Sequence, residues 1–459
     1  MPKEKEYSGM TKDKLMTYTF VALLIIAVIT IVMWWDVYAL DVMTMQPIGM
    51  QYGLTVLINC LIAVGIAVGI DILLYKVASD SPLNIMSAAV FGLIVSLSYT
   101  IGEPVMRGAE VMPLFGPDAF VFVAFITVVG MVIFKKLARR KYVNPAAAAK
   151  LVVLGIAGLF TILIPADHLI TGALQFPSLA GPIGYDIISG NGASGFGYYL
   201  VGCFANPASP IPASIPTQSE IFNLFLVTKF HSWAGGASSI AVIIVGIALF
   251  VLARRYIKWR ITLAYFVSVA MMAVLLNFAY PGGDLLLRLG FELFIGSSIF
   301  LAFFMATDPA SSPITYTGQL IFGVSLGVLT VLIQTYMGFL GGSILALLVM
   351  NLASPFLDRV GKLKPTTESK EPKLPKAKSF TPEKIKTYDC IRCGACMRVC
   401  CHKLSPILIK QAFDKMDFEK MSKLNADYCT GCGHCSFVCP SRIDLMGTVL
   451  RAKAMLRQE

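Results

Sequence analysis

The 459 residues are 56% hydrophobic and only 14% charged, with a mean hydropathy of +0.72. A soluble globular domain carries about one-quarter charged residues, so this balance excludes an ordinary soluble protein and points to a membrane protein. The net charge of +11 is concentrated at one end: residues 361–459 hold 19 Lys+Arg against 10 Asp+Glu, a net of +9, which leaves +2 for residues 1–360. Nine of the 11 cysteines share that last stretch, and only Cys60 and Cys203 fall outside it. Two parts of different physical type are expected, with a boundary near residue 360.

The N-terminal MPKEKEYSGMTKDK is charged, and no small-residue cleavage site follows the first apolar run. That run reads as a retained span. Crossing the hydrocarbon core takes about 20 mostly apolar residues. Ten such segments occur, near 16–35, 50–70, 84–102, 119–134, 148–165, 236–253, 261–280, 286–306, 314–334 and 337–356. Helices are expected, because hydrocarbon offers backbone groups no other partner. With the N-terminus inside, 16 Lys+Arg of residues 1–360 fall on the inner side, Lys135, Lys150, Arg254, Arg255 and Lys258 among them, and only Arg107, Lys229 and Arg288 on the outer. The excess of basic residues in cytoplasmic loops then places the N-terminus and the cysteine-rich end in the cytoplasm of an inner-membrane protein.

Two stretches break the run of short loops. Residues 166–235 are long, external and rich in Gly, Pro and Ser, and their apolar SGFGYYLVGCF is expected to dip into the membrane surface. Residues 361–386 alternate Lys and Pro with polar residues and read as an extended tether. The tether is a solvated charge run with attraction to anionic lipid, and no nucleic-acid partner is expected.

Residues 387–459 carry the strongest chemical signal. CIRCGACMRVC at 390–400 and CTGCGHCSFVCP at 429–440 each supply C-x2-C-x2-C-x3-C. That is the spacing of bacterial two-cluster ferredoxins, in which the fourth cysteine ligates the other cluster. Cys390, Cys393, Cys396 and Cys439 are therefore assigned to one 4Fe–4S cluster, and Cys429, Cys432, Cys435 and Cys400 to the second. Zinc sites favour paired C-x2-C knuckles over triples, and cytoplasmic disulfides are rare. Cys401 stands where proline usually follows the fourth cysteine, as Pro440 does, so the register could be Cys400 or Cys401. Cys401 reads as a spare thiol. Between the motifs, apolar residues recur at three- and four-residue steps over 404–425, which predicts an amphipathic helix or two. A helical ferredoxin of this type resembles the cluster domain of RnfC subunits, and succinate dehydrogenase and heterodisulfide reductase subunits share the general type.

Three membrane segments carry a second resemblance: AGGASSIAVIIVGIALFVLARRYIKWRI at 234–261, AFFMATDPASSP at 302–313 and NLASPFLDR at 351–359. In that order and at those separations they resemble the RnfD/NqrB family of flavin-bearing subunits. The resemblance implies two inverted five-helix repeats, a flavin (FMN and/or riboflavin), and membership of a redox-driven sodium or proton pump. Its implied partners are other membrane subunits of an Rnf/Nqr-like complex and a soluble ferredoxin or NADH-linked donor module. Family members often carry FMN on the threonine of an S/T-G-A-T motif in the long external loop. That motif is not intact here. The nearest matches put Ser194 or Thr217 in its place, and each reads more readily as an ordinary loop hydroxyl, so a non-covalent flavin is a serious alternative.

Ionisable residues in or near membrane spans mark function by their cost, and Asp71, Glu103, Glu292 and Asp308 qualify. Thr307-Asp308-Pro309 also reads as a helix N-cap with proline at the first helical position. Glu292, four residues from Arg288, reads equally as a helix ion pair. His168 and His231 both fall at the outer side, so haem held by facing histidines is not expected. The fold expected is an all-α membrane protein of about ten transmembrane helices with a C-terminal helical ferredoxin domain. The function expected is electron transfer within an ion-translocating oxidoreductase. The alternative is a non-pumping membrane polyferredoxin serving a quinone or an external reductase; a passive transporter with a regulatory ferredoxin comes third.

Overall fold

A computed structural model describes residues 6–153, 226, 232–360, 372–379 and 385–457, with short breaks inside the first and third stretches. The N-terminal half of the apolar part forms α1 (Lys12–Met33), α2 (Tyr52–Val77), α3 (Ile85–Leu97), α4 (Pro117–Val129, continued by π-helical Gly130–Leu137) and α5 (145–153). The second half forms α6 (Ser239–Leu252), α7 (Trp259–Ala279), α8 (Leu285–Phe294) and α9 (Ser298–Phe300, continued by π-helical Leu301–Met305). It closes with α10 (Tyr316–Met337) and α11 (Gly342–Val360). Helices α1, α2, α7, α10 and α11 are long and apolar enough to cross a bilayer, while α3, α4 and α6 are apolar but shorter. Strands among the described residues occur only as two-stranded ladders.

The same helices are apolar on both faces, as lipid on one side and protein on the other require. On α1, Leu23, Ile26 and Ala27 are buried while Leu24, Val28 and Val32 are exposed. Lipid tails give helices no hydrophobic reason to associate, so close backbone approach at small residues takes over. A Cβ on Gly92 of α3 would lie 2.7 Å from the Ala63 carbonyl oxygen of α2, and one on Gly323 of α10 would lie 2.6 Å from that of Ile261 on α7.

Helix α6, with 14 residues, is shorter than a full span, and two other expected spans are interrupted. Helix α3 has 13 residues, about 20 Å at 1.5 Å per residue, too short for a 30 Å core. The chain continues as the strand Thr100–Ile101, paired antiparallel with Ser232–Trp233. Backbone of this kind is tolerated at membrane depth where protein covers it: Ala234 N–H donates to the Tyr99 carbonyl at 3.1 Å, and Thr30 Oγ1 donates to the Ala234 carbonyl at 2.8 Å. The second departure is the segment near 286–306, which is split into α8 and α9. The segment near 148–165 is described only as far as residue 153.

The C-terminal part is helical: α12 (Ala395–Arg398), α13 (Pro406–Phe413), α14 (Phe418–Lys423), α15 (His434–Phe437) and α16 (Leu445–Leu456). Helices α13 and α14 fill the gap between the cysteine motifs, where the three- and four-residue apolar steps predict them. Pro406 begins α13, and Asp417 caps α14 by accepting the Lys420 N–H at 3.0 Å. Their apolar faces close on α16 around Ile409, Ala412, Met421, Val449 and Ala452.

This part is docked on the membrane helices. The strand Glu6–Ser8 pairs antiparallel with Ala377–Ser379, within the stretch expected to be an extended tether. Lys12 N–H donates to the Pro440 carbonyl at 3.1 Å, and the Arg255 guanidinium donates to the Lys373 carbonyl at 2.5 Å. Within the extended stretch 361–386, Ala377–Ser379 is thus held by the N-terminal strand, and the Lys373 and Lys376 carbonyls accept hydrogen bonds from Arg255 and Gly9.

Candidate metal centres

Each cysteine motif forms a tight loop that enters a single helical turn. Such a loop needs left-handed backbone, which Gly431 (φ 73°) and Gly433 (φ 80°) adopt freely in the second motif. In the first motif Gly394 (φ 73°) matches Gly433, but Arg392 (φ 54°) stands where Gly431 does. A left-handed non-glycine residue costs about 1–2 kcal/mol, so its side chain must be strongly held. It is: the Arg392 guanidinium is buried, pairs with Asp358 of α11, and lies 4.3 Å from the Tyr142 ring centroid.

The loops gather the thiols into two sets. Cys400, Cys429, Cys432 and Cys435 line one cavity, together with Gly431 and Gly433. Burial pushes the Cys435 thiol up to about 12, with Cys400, Cys429 and Cys432 adding to the effect. Cys439 is likewise pushed up to about 12 by burial, with Cys393 and Cys390 adding. Cys396 is raised well above the usual thiol range, by burial first and then by Cys393, Cys390 and Cys439. All ten described cysteines are free thiols. Buried, crowded thiols such as Cys396, Cys435 and Cys439 resist losing their protons unless a cation lies beside them, and an all-sulfur donor set suits zinc or an iron–sulfur cluster. The residues present thus fit a cluster in each set.

The sets differ in exposure. Cys393 belongs to the core that the membrane helices share, and Ile314 packs with Cys396, Cys435 and Cys439. The set of Cys390, Cys393, Cys396 and Cys439 is therefore the proximal one. The other is distal, and its Cys432 is exposed. Cys401 does not line the distal cavity; its Sγ lies 3.4 Å from Cys432 Sγ and 3.5 Å from His434 Nδ1.

A platform under the proximal set is built from the three membrane segments singled out in the sequence. Lys258, fully buried, donates from Nζ to the Pro309 and Ser312 carbonyls, each at 2.8 Å, and to Ser312 Oγ at 3.0 Å. Ser354 Oγ donates to the Ser311 carbonyl at 2.8 Å, tying α11 to the same turn. Asp358 accepts the Ile314 N–H at 2.7 Å while pairing with Arg392. Arg398 donates to the Arg255 carbonyl at 2.6 Å and to the Cys393 carbonyl at 3.2 Å. A Cβ on Gly394 would lie 3.2 Å from Ile314 Cγ2. Burial pulls the Lys258 ammonium down to about 7, with Arg392 lowering it further and Asp358 opposing.

Sequence reasoning missed this platform. Arg392 and Lys258 sit in segments that stand out for other reasons, and the sole local signal was an arginine in a loop position that favours glycine. Asp308 is placed differently from the expected cap. No helix starts at Pro309; Asp308 organises an irregular turn, accepting from Ala310 N–H at 3.3 Å and from Ser311 Oγ at 2.8 Å. The competing principle is the short-range turn chemistry of aspartate, which serves loops as well as caps. Asp71 is buried and accepts the Asn84 N–H at 2.8 Å. Lys150, counted in the sequence among the inner-side basic residues, is also buried, donating to the Ser98 carbonyl with its Nζ 4.6 Å from the Trp233 ring centroid. Glu292 is buried; the side chain of Arg288, and Glu103, His168, His231, Ser194 and Thr217, lie outside the described residues.

An apolar helical part with a docked two-set thiol domain defines a membrane protein with an attached ferredoxin. Residues 8–366 match the NQR2, RnfD, RnfE family and residues 389–443 match the 4Fe-4S dicluster domain. The chain belongs to the NQR2, RnfD, RnfE family, with a 4Fe–4S dicluster domain following. It is 32% identical over 149 residues to a subunit of the Na(+)-translocating ferredoxin:NAD(+) oxidoreductase complex of Acetobacterium woodii, covering 32% of this chain and 43% of that one. It is 36% identical over 141 residues to a subunit of the ion-translocating oxidoreductase complex of Stutzerimonas stutzeri (29% and 38% of the two chains). The like-named protein from Methanosarcina acetivorans is 32% identical over 151 residues (32% and 47%). The matched region thus spans less than half the length of each of these relatives.

Proposed function

We propose that the chain is an electron-transfer subunit of an Rnf/Nqr-like, redox-driven sodium or proton pump, a translocase built with other membrane subunits. In this reading residues 1–360 form the membrane domain, 361–386 the linker and 387–459 the ferredoxin domain. Two 4Fe–4S clusters supply one-electron carriers, held by Cys390, Cys393, Cys396 and Cys439 and by Cys429, Cys432, Cys435 and Cys400. They link cytoplasmic low-potential carriers to a flavin in the membrane domain. The observation that supports this reading is the burial of Cys393, Cys396 and Cys439 beside the membrane helices, with Cys396 and Cys439 packed on Ile314. The distal set, whose Cys432 is exposed, then faces the donor. The net of +9 over residues 361–459 favours an acidic donor such as a soluble ferredoxin.

Iron, acid-labile sulfide and flavin in the purified complex test it. Eight irons per chain are expected, with Cys393→Ala or Cys429→Ala each removing one cluster; two irons per chain, or zinc, would overturn the assignment. In-gel fluorescence after denaturation separates covalent from free flavin, and loss of the band in Ser194→Ala or Thr217→Ala would identify an anchor.

Orientation is tested separately. A single cysteine introduced at Ser209 should react with a membrane-impermeant maleimide added from outside the cytoplasmic membrane. Labelling only in inverted vesicles would reverse the topology.

A further inference from the structure

We propose that Cys401 is a reserve ligand of the distal cluster, placed to take over the iron that Cys432 holds. The inference rests on the reading of Cys400, Cys429, Cys432 and Cys435 as one ligand set, and it goes beyond that reading by giving the ninth cysteine a task. Three observations carry it. Cys401 Sγ lies 3.4 Å from Cys432 Sγ, about the distance at which one sulfur can replace another on a single metal after a side-chain rotation. Cys401 lies outside the cavity that the four assigned ligands line, and its sulfur is grouped instead with Cys432 and His434. The corner it serves is the exposed one, because Cys432 is open to solvent while Cys435 is buried.

The chemistry is a ligand exchange. The iron–sulfur bond to Cys432 breaks and one to Cys401 forms. The Cys401 thiol gives up its proton and the released Cys432 thiolate takes one up. Four thiolates remain on the cluster, its charge is unchanged and no electron moves. His434 Nδ1 lies 3.5 Å from Cys401 Sγ and so borders the same corner. The proximal set has no such device. The residue matching Cys401 there is Pro440, which brings no thiol and whose carbonyl is engaged by Lys12. An exposed iron corner is where oxidants and alkylating agents first reach a ligand, so the spare thiol stands at the more vulnerable cluster.

The test uses the full chain in its complex and reads iron, sulfide and the electron paramagnetic resonance of the dithionite-reduced clusters. Cys432→Ala is expected to keep eight irons and both cluster signals. The double variant Cys401→Ala/Cys432→Ala is expected to lose the distal signal and at least one iron, and Cys429→Ala, with no spare thiol beside it, to lose it as well. The proposal is overturned if Cys432→Ala loses the distal cluster as fully as the double variant does. It is equally overturned if the double variant retains eight irons, since solvent would then be holding the corner. A wild-type complex without eight irons would instead remove the parent reading. Should Cys432→Ala fail to accumulate, Cys401→Ala alone decides: under limiting ferricyanide its distal signal should decay several-fold faster than that of the wild type, and equal rates would sink the idea.

Discussion

If the proposed function holds, truncation after Arg359 should leave a chain that inserts and assembles, while the flavin which that reading places in the membrane domain is no longer reduced by a low-potential donor. The membrane helices pack through contacts of their own, such as Gly92 on Ala63 and Gly323 on Ile261, none of which involves residues beyond 360. What truncation removes is the proximal thiol set and its contacts with the turn 306–315. Holding a carrier against its acceptor raises its effective concentration, and linked modules typically gain about 10²–10⁴ in this way. Donor-driven flavin reduction in the truncated complex, followed by stopped-flow absorbance, should therefore fall by at least about a hundredfold. Reduction at the wild-type rate would mean that the clusters lie off the main path, and a sensing or structural role would then be the better reading.

Asp358→Ala should undock the ferredoxin domain without unfolding it. The Arg392 side chain is fully buried and Asp358 nearly so, and the carboxylate also accepts the Ile314 N–H. Removing one partner of a buried pair leaves an uncompensated charge, at a cost of about 3–5 kcal/mol. The domain has its own apolar core around Ile409, Met421 and Val449, so the cost falls on the interface. Amide hydrogen exchange should speed up at Ile314 and across 388–400, while α13, α14 and α16 keep their protection. Asp358→Asn, which keeps an oxygen for Ile314, should show a smaller change. Unchanged exchange at Ile314 in Asp358→Ala would show that the pair does not hold the interface.

Local patterns were legible in the sequence and contacts between distant segments were not. The two C-x2-C-x2-C-x3-C runs could be read because a cluster imposes its ligand spacing on neighbouring residues. Helices α13 and α14 followed from the spacing of Leu404, Ile407, Leu408, Phe413 and Met421 in the same way. The platform had no such mark: Arg392 meets Asp358 34 residues away, and Lys258 reaches Ser312 54 residues on. Aspartate at 308 before a proline read as a cap because caps and turns use the same chemistry over the same few residues. Helix α3 read as a full span because Tyr99, Thr100 and Ile101 keep the stretch apolar after the helix has ended; only the partner strand, more than 130 positions later in the sequence, shows why the backbone can leave the helix there.

The ladder between Glu6–Ser8 and Ala377–Ser379 has a consequence for how the molecule is made. Strand Glu6–Ser8 meets its partner only after about 370 further residues of chain have been synthesised. Contacts so distant along the chain form late, because closing the loop between them must precede any gain. Seating of the cluster-bearing part on this ladder thus follows the folding of the segments between the two strands, and until then Glu6–Ser8 is an unpaired edge. Bulk fused ahead of Glu6 should slow that closure while leaving membrane insertion intact.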